Sequence, residues 1–239
     1  MEKKKLKILG IIWARSGSKG LKNKNIKSFN GKPLISRIIG ISLKSKYINR
    51  LIVSTDSKKY AKIAKSFGAE IPYIRPKKIS TDKSHELEFI KHLLKYLKKH
   101  ENYIPNLIVR LLTTVPFQKT EDIDKSISKI FKNNKLDSCF VISDANQHPL
   151  KALKINKQNN LVEYFSGSAE KIGKKQNRNL FQKAYFRANI VVSKYKTIQR
   201  YNSLAGKKNG YHIIPNDRSI DIDTKEDFIF AEYLDKNSK

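Results

Sequence analysis

Ile8-Leu9-Gly10-Ile11-Ile12-Trp13-Ala14 runs without a break into Arg15-Ser16-Gly17-Ser18-Lys19-Gly20-Leu21-Lys22-Asn23-Lys24-Asn25. The first seven residues are apolar on both faces, which predicts a central parallel strand buried from both sides. The eleven that follow predict a loop suited to a polyphosphate. Small residues let backbone N–H groups approach the oxygens, and Arg15, Lys19 and Lys24 offset the charge. Two stricter phosphate motifs are absent. Lys19 precedes Gly20, so there is no G-x-x-x-x-G-K-[ST], and there is no G-x-G-x-x-G. Spacing alone leaves two readings open: a phosphate cradle, or a polar turn in a lysine-rich protein.

Moving outward, strands and helices alternate at short intervals. Pro33 suits a first helical turn, and Leu34, Ile35, Ile38, Ile39, Ile41 and Leu43 carry helical spacing. Leu51-Ile52-Val53 is a second strand. Asp56 or Ser57 is placed to cap a helix through Tyr60, Ile63, Ala64 and Phe67, which Gly68 stops. Glu70 to Ile74 reads as another strand or an extended piece, ending at Arg75-Pro76. A helix follows through Leu87, Ile90, Leu93, Leu94 and Leu97, then a strand from Leu107 to Leu112. Thr120 is the expected cap of a helix bearing Ile123, Ile127, Ile130 and Phe131, and Ser138 to Ile142 is a further strand. This β-α repetition predicts an α/β fold with a doubly wound, mostly parallel sheet. Ligands bind beyond the carboxyl ends of such strands, where Arg15, Asp56, Arg75 and the Thr113 region fall.

The pattern breaks near Asn146. Residues 147–184 hold His148-Pro149, a lone strand-like Ala152 to Ile155, and a stretch without steady periodicity. That is too long for an idle loop, so it reads as an inserted arm that covers a site or pairs with a second subunit. The sheet resumes with Tyr185 to Val192 and Tyr211 to Ile214, and a last helix carries Phe228, Ile229, Ala231 and Leu234. Residues 1–239 thus read as one domain with the arm inserted in it.

The formal net charge of +29 invites a nucleic-acid reading. Lysine is spread along the chain with acidic residues interleaved, and only Lys3-Lys4-Lys5 is a solid run, so an anionic small substrate is the better match to this field. The single cysteine, Cys139, lies in an apolar run and reads as core. It excludes an intramolecular disulfide and cysteine-based zinc, and it fits a reducing cytosol. The five histidines show no ligand spacing. The apolar run near the N-terminus is too short to span a membrane.

Asp221-Ile222-Asp223 puts two carboxylates on one side of an extended backbone. The pair suits a hard cation such as Mg²⁺ bridged to phosphate, and it equally suits the cap of the helix that follows. Arg187 and Asn189 stand on an apolar strand, where an anionic ligand or a strand-end ion pair is needed to explain a charge.

Several blocks in order give the chain a resemblance to the acylneuraminate cytidylyltransferases and their legionaminate and pseudaminate relatives. They are Ala14-Arg15-Ser16-Gly17-Ser18-Lys19-Gly20 with Lys24-Asn25-Ile26, then Gly31-Lys32-Pro33-Leu34-Ile35, Ile52-Val53-Ser54-Thr55-Asp56, Phe67-Gly68-Ala69-Glu70 and Arg75-Pro76. Thr114-Val115-Pro116, Gln147-His148-Pro149-Leu150-Lys151, Arg187-x-Asn189 and Ser219-Ile220-Asp221-Ile222-Asp223-Thr224 complete them. The resemblance implies a Rossmann-like nucleotidyltransferase sheet. It also implies Mg²⁺-dependent transfer of CMP from CTP to the anomeric hydroxyl of a keto-sugar acid, in a cytoplasmic homodimer serving glycan or surface polysaccharide synthesis. By the same resemblance Arg15, Ser18, Lys19 and Lys24 hold CTP phosphates, and Asn25 lies near the ribose. Arg75 and Asp82 flank the cytidine, Asp221 and Asp223 bind Mg²⁺, and Thr114, Lys151, Arg178, Arg187 and Asn189 face the sugar. Arg15, Lys24, Asp221 and Asp223 are the expected catalytic set.

Sialic acid synthetases often carry Gln-Pro-Thr-Ser-Pro-Leu-Arg where this chain has Leu112-Thr113-Thr114-Val115-Pro116-Phe117-Gln118, and Asn-Gly-Ala where it has Asn189-Ile190-Val191. These departures fall on the sugar side, where pocket polarity sets discrimination. The sugar therefore stays open, with the eight-carbon acid Kdo as one alternative. A basic nucleic-acid-binding protein is the alternative outside enzymes.

Overall fold

The computed structural model describes residues 6–168 and 181–237. Among them a six-stranded sheet has the order β10-β6-β9-β5-β1-β4. Its strands are β1 (Ile8–Trp13), β4 (Arg50–Ser54), β5 (Leu107–Leu112), β6 (Ser138–Asp144), β9 (Tyr185–Lys194) and β10 (Asn209–Ile213). Two small hairpins stand apart from it, β2 (Ser28–Phe29) with β3 (Lys32–Pro33), and β7 (Leu153–Ile155) with β8 (Leu161–Glu163). The helices are α1 (Ile35–Leu43), α2 (Lys58–Ser66), α3 (Glu86–Glu101), α4 (Thr120–Lys132), α5 (Tyr195–Tyr201) and α6 (Lys225–Asn237).

The period of two along β1 sorts its side chains between two cores. Ile8 and Ile12 pack with Ile35, Ile39, Ala64, Ile123 and Ile127, so α1, α2 and α4 cover that face. Leu9 and Ile11 pack with Phe89, Ile90, Leu93 and Ile198, so α3 and α5 cover the other. Each helix buries one stripe at its 3.6-residue period, as Ile123, Ile127 and Ile130 do on α4. A third cluster joins Phe29 and Leu34 to Ile222, Phe228 and Ala231, and fastens α6 to the start of the chain. No described helix is long and apolar enough to cross a membrane.

β1 pairs in parallel with β4 and β5, and β10 with β6. β9 runs antiparallel to both β5 and β6. The reason lies in the arm. β6 ends at Asp144, and β9 starts directly opposite it at Tyr185, so the arm is the long tip of a hairpin. A return beside β6 without a crossover has to be antiparallel. The tip also sits at the carboxyl end of β6.

Several local expectations shift. Glu70–Ile74 makes one bridge, Ile52 to Glu70, and no strand, because Pro72 lacks the N–H a ladder needs. Pro33 belongs to β3, and α1 starts at Ile35. Asp122 caps α4 by accepting from the Lys119 N–H at 2.9 Å, while the Thr120 hydroxyl donates to the Ile41 carbonyl. The segment near Ile155 is paired, as half of the β7–β8 hairpin. Cys139 is fully buried, and burial pushes its thiol up to about 11.

Candidate active site

β1 is flanked by β4 on one side and β5 on the other, so the chain leaves its carboxyl end in diverging directions. Such a switch point opens a crevice. Here it holds a cavity of about 500 Å³. Its floor is Trp13, Leu112, Thr113 and Thr114, one wall is Arg15, Ser18, Lys19, Gly20, Lys24 and Asn25, and the facing wall is Asp221, Asp223 and Thr224.

The loop is held from both strands beside it. Asp56, just past β4, accepts from the Ser16 N–H at 2.9 Å and from the Ser16 hydroxyl at 2.8 Å. The buried Asn25 amide donates to the Arg15 carbonyl at 2.9 Å, and its oxygen accepts from the Thr113 hydroxyl past β5. Thus Asn25 folds the loop back onto the sheet. Arg15 and Lys19 both pair with Asp82, Lys19 at 2.5 Å. These two cations hold the Asp82 carboxyl below its ordinary value, Lys19 contributing most.

The far wall arrives from the other end of the chain. The Ile222 side chain is buried and its N–H donates to the Thr114 carbonyl at 2.8 Å. Asp221 and Asp223 flank this anchored residue. The helix cap is supplied elsewhere: Asp227 accepts from the N–H groups of Asp223 and Thr224 at 3.0 and 2.8 Å, and the Thr224 hydroxyl accepts from the Asp227 N–H at 3.2 Å. The two carboxylates are therefore not needed to cap α6. Lys24 joins the walls, donating to the Ile222 carbonyl at 2.6 Å and to Asp223 at 2.9 Å. Its side chain is 11% exposed against 76% for Asp223, so the cation is fixed and the carboxylate faces solvent. Burial raises the pKa of the Asp221 carboxyl. Neighbouring Asp223 adds to the rise, while the Thr114 hydrogen bond and Lys24 oppose it.

Arg75 lies behind this cavity and does not line it. It is 1% exposed, donates to the Ser80 hydroxyl at 2.8 Å, and lies 5.1 Å from the Phe89 ring. Burial pulls it down to about 10, against the pull of Asp56. One terminal nitrogen has no hydrogen-bond partner among the described residues, and neither has the buried indole nitrogen of Trp13, which packs on the same Phe89.

The sugar-side candidates fall in three places. Thr114 is in the main cavity. Lys151 and Arg187 line a second cavity of about 560 Å³ with Asp144, His148 and Phe186, at the base of the arm. Asn189 is buried and inward-turned. Its oxygen accepts from the Leu112 N–H at 2.7 Å, and its amide donates to the Leu112 carbonyl at 3.1 Å and to Gln118 at 2.9 Å. Two of the departures from the sialic pattern thus meet, since Gln118 also donates to the Ala188 carbonyl. Ile190 is core, while Leu112 and Thr113 reach the main cavity. Arg178 lies outside the described residues.

Sequence reasoning passed over Asp56 as a loop anchor, Trp13 as floor, and Asp227 as cap. Strand register is the signal that would have found the first two, because Trp13 is opposite both Ser54 and Leu112.

Comparison with known proteins bears on the same surfaces. An N-acylneuraminate cytidylyltransferase of Escherichia coli is 30% identical over 225 residues, covering 94% of this chain and 51% of that protein. The chain therefore spans about half the length of this relative. A pseudaminic acid cytidylyltransferase of Campylobacter jejuni is 29% identical over 232 residues and is covered to 97%, as is this chain. Among solved structures, a CMP:2-keto-3-deoxy-manno-octonic acid synthetase complexed with CTP superposes with a TM-score of 0.67 over 96% of this chain and 98% of that one. At 17% identity it shares the fold. The cytidylyltransferase family model matches residues 9–234, which takes in both walls of the cavity, and the chain belongs to that family.

Proposed function

We propose that this protein transfers CMP from CTP to the anomeric hydroxyl of a nonulosonic, sialic-type acid, releasing pyrophosphate. The observation that carries the reading is the cavity itself: three loop cations and two carboxylates face each other at the switch point of a cytidylyltransferase sheet. Nucleotidyl transfer needs little covalent chemistry from a protein. It needs the α-phosphorus held in line with the attacking oxygen and the charge on the leaving pyrophosphate neutralised. Arg15, Lys19 and Lys24 supply positive charge for the phosphates, that of Lys24 fixed. The hydroxyl oxygen bonds to the α-phosphorus, its proton passes to water, and the bond to the bridging oxygen breaks so that pyrophosphate leaves. The acceptor class follows the relatives named for N-acylneuraminate and pseudaminic acid.

Asp221 and Asp223 are the residues that would hold Mg²⁺. Their cap duty is taken by Asp227 and Thr224, and Asp221 and Asp223 both line the cavity opposite the loop cations. Two carboxylates completed by phosphate oxygens and water are the usual Mg²⁺ arrangement, and no larger acidic cluster exists among the described residues. Mg²⁺ bound there would screen the triphosphate. Asp221→Ala and Asp223→Ala should each lower turnover at least about a hundredfold, and near-wild-type rates in both would remove the metal assignment.

The arm suits a homodimer. Ile155, Leu161, Tyr164, Phe165 and Phe186 are exposed on it beside Lys151 and Arg187, an apolar patch that a second subunit would cover.

The test is pyrophosphate release from CTP and Mg²⁺ with N-acetylneuraminate, legionaminate, pseudaminate or Kdo. Release with one of the nine-carbon acids is expected. Release with Kdo alone would move the acceptor to the eight-carbon class. No release and no CTP binding would reject the reading.

A further inference from the structure

We propose that Asp122, which lies outside the cavity, is a positioning residue for the Asp221-Ile222-Asp223 segment and acts through Arg218. The proposal rests on the reading of that segment as the metal-holding wall.

Asp122 is 1% exposed, on the first turn of α4. One oxygen accepts from the Lys119 N–H at 2.9 Å, which is ordinary helix capping. A cap needs neither burial nor a counter-ion. Yet the same carboxylate receives one guanidinium nitrogen, Nη1 of Arg218, shared between its two oxygens at 2.9 and 2.7 Å, and the His212 ring nitrogen lies 3.2 Å away. Three elements therefore converge on one buried charge: α4, the edge strand β10 through His212, and the turn Asn216–Ser219 through Arg218.

That turn leads directly into the cavity wall. Past β10 the chain is tied to the sheet once more, where the Ile214 N–H donates to the Ile142 carbonyl at 2.9 Å. It then leaves the sheet and crosses to the end of β5. Between Ile214 and the Ile222 anchor, the Asp122–Arg218 pair is the contact that fixes the crossing to a helix. Arg218 is three residues from Asp221, a span of about 10 Å at most, so displacement of the guanidinium passes directly to the carboxylate. A charge-assisted hydrogen bond from Arg218 to a buried carboxylate that also accepts from the Lys119 N–H holds the guanidinium against the helix. That rigidity is what a two-carboxylate site requires of the chain leading into it. Supporting shells of this kind typically govern metal affinity by about 10–100-fold.

The chain has one tryptophan, Trp13, and it lines the same cavity. Its fluorescence reports occupancy without turnover. Asp122→Asn keeps the volume and a cap acceptor but loses the charge. Arg218→Gln keeps most of the reach but loses the charge on the other side of the pair. Each is titrated with Mn²⁺ in the presence of a CTP analogue carrying carbon between the α- and β-phosphorus, alongside kcat and KM for CTP. The expected result is folded protein by circular dichroism, Mn²⁺ affinity weakened about 10–100-fold, a matching fall in kcat at fixed metal, and recovery of kcat at high Mn²⁺ with KM for CTP within about threefold. A merely structural role would lower the melting temperature and leave Mn²⁺ affinity in the folded fraction unchanged, which overturns the proposal alone. No Mn²⁺ response in the wild type overturns the metal reading and this proposal with it.

Discussion

Gly20 shows how closely the two ends of the chain meet. A Cβ placed there would lie 2.4 Å from the Asp223 carbonyl oxygen, a distance at which something must move. The obstacle is backbone, so no side-chain rotation relieves it. Gly20→Ala should therefore force the loop and the carboxylate wall apart. The expected outcome is a loss of kcat of at least tenfold, with a melting temperature close to wild type because the contact is local. Lys24→Met removes a side chain bonded to both Ile222 and Asp223 and should cost activity without unfolding. Both are read by steady-state kinetics beside thermal denaturation. Cys139 gives the opposite kind of test. Fully buried, with its thiol pushed up to about 11, it should resist iodoacetamide at pH 8 in the native state and react once denatured. Fast labelling of folded protein would contradict the packing. At this scale the loop cations and the Asp-x-Asp pair were legible, because a run of charge and glycine after an apolar strand is a local pattern. The engagement of Asn25 and Asn189 was not. Their side-chain oxygens accept from groups 88 and 77 residues away in sequence, and nothing local announces such partners.

At the scale of elements, β9 carries the most information that the sequence withheld. Tyr185 to Val192 is plainly a strand from its apolar content, but its direction depends on where it pairs. Its register against β6 shifts between Phe140 and Ile142, and Asn189 there has φ of 75°, in the left-handed region that asparagine tolerates better than most residues. The asparagine amide then bonds to both the N–H and the carbonyl of Leu112, where the ladder to β5 has ended at Arg110. A side chain thus continues the sheet past the bulge and holds the cavity floor. Asn189→Gly keeps the backbone conformation but leaves the Leu112 groups without partners, which should cost about 2 kcal/mol. Asn189→Ala adds the strain of a Cβ at positive φ and should cost about 1 kcal/mol more. Chemical denaturation of the two variants measures the difference. Equal losses would mean that the bulge relaxes. Helix and strand existence was readable from period, whereas the start of α1 was placed too early, because Pro33 pairs with Ser28 in the β2–β3 hairpin and the helix begins only at Ile35.

At the scale of the molecule, the cavity is a junction at which the first 30 residues and the last 25 meet over the end of β5. Lys24 and Gly20 meet Ile222 and Asp223. Behind them Asn30 donates to Asp235 at 2.6 Å, Arg37 pairs with the same carboxylate, and Phe29 and Leu34 pack on Phe228. No periodicity can show that two chain ends close one site, since the closure is a property of topology. It has a thermodynamic consequence. A ligand that touches both walls binds only when the ends are docked, so its binding energy adds to the cohesion of the whole fold. At a hundredfold excess over Kd, CTP with Mg²⁺ should add about 2.7 kcal/mol, which for a chain of this size raises the melting temperature by roughly 5–10 °C. The net charge of +29 favours an anionic ligand, so the shift should shrink as salt rises. Hydrogen exchange locates the effect. Amides of residues 15–25 and of residues 219–227 should gain protection together on adding CTP and Mg²⁺, although some 200 residues separate them in the chain. Protection confined to the first segment would mean that the nucleotide seats on the loop alone, and that the carboxylate wall engages only when the sugar acid arrives.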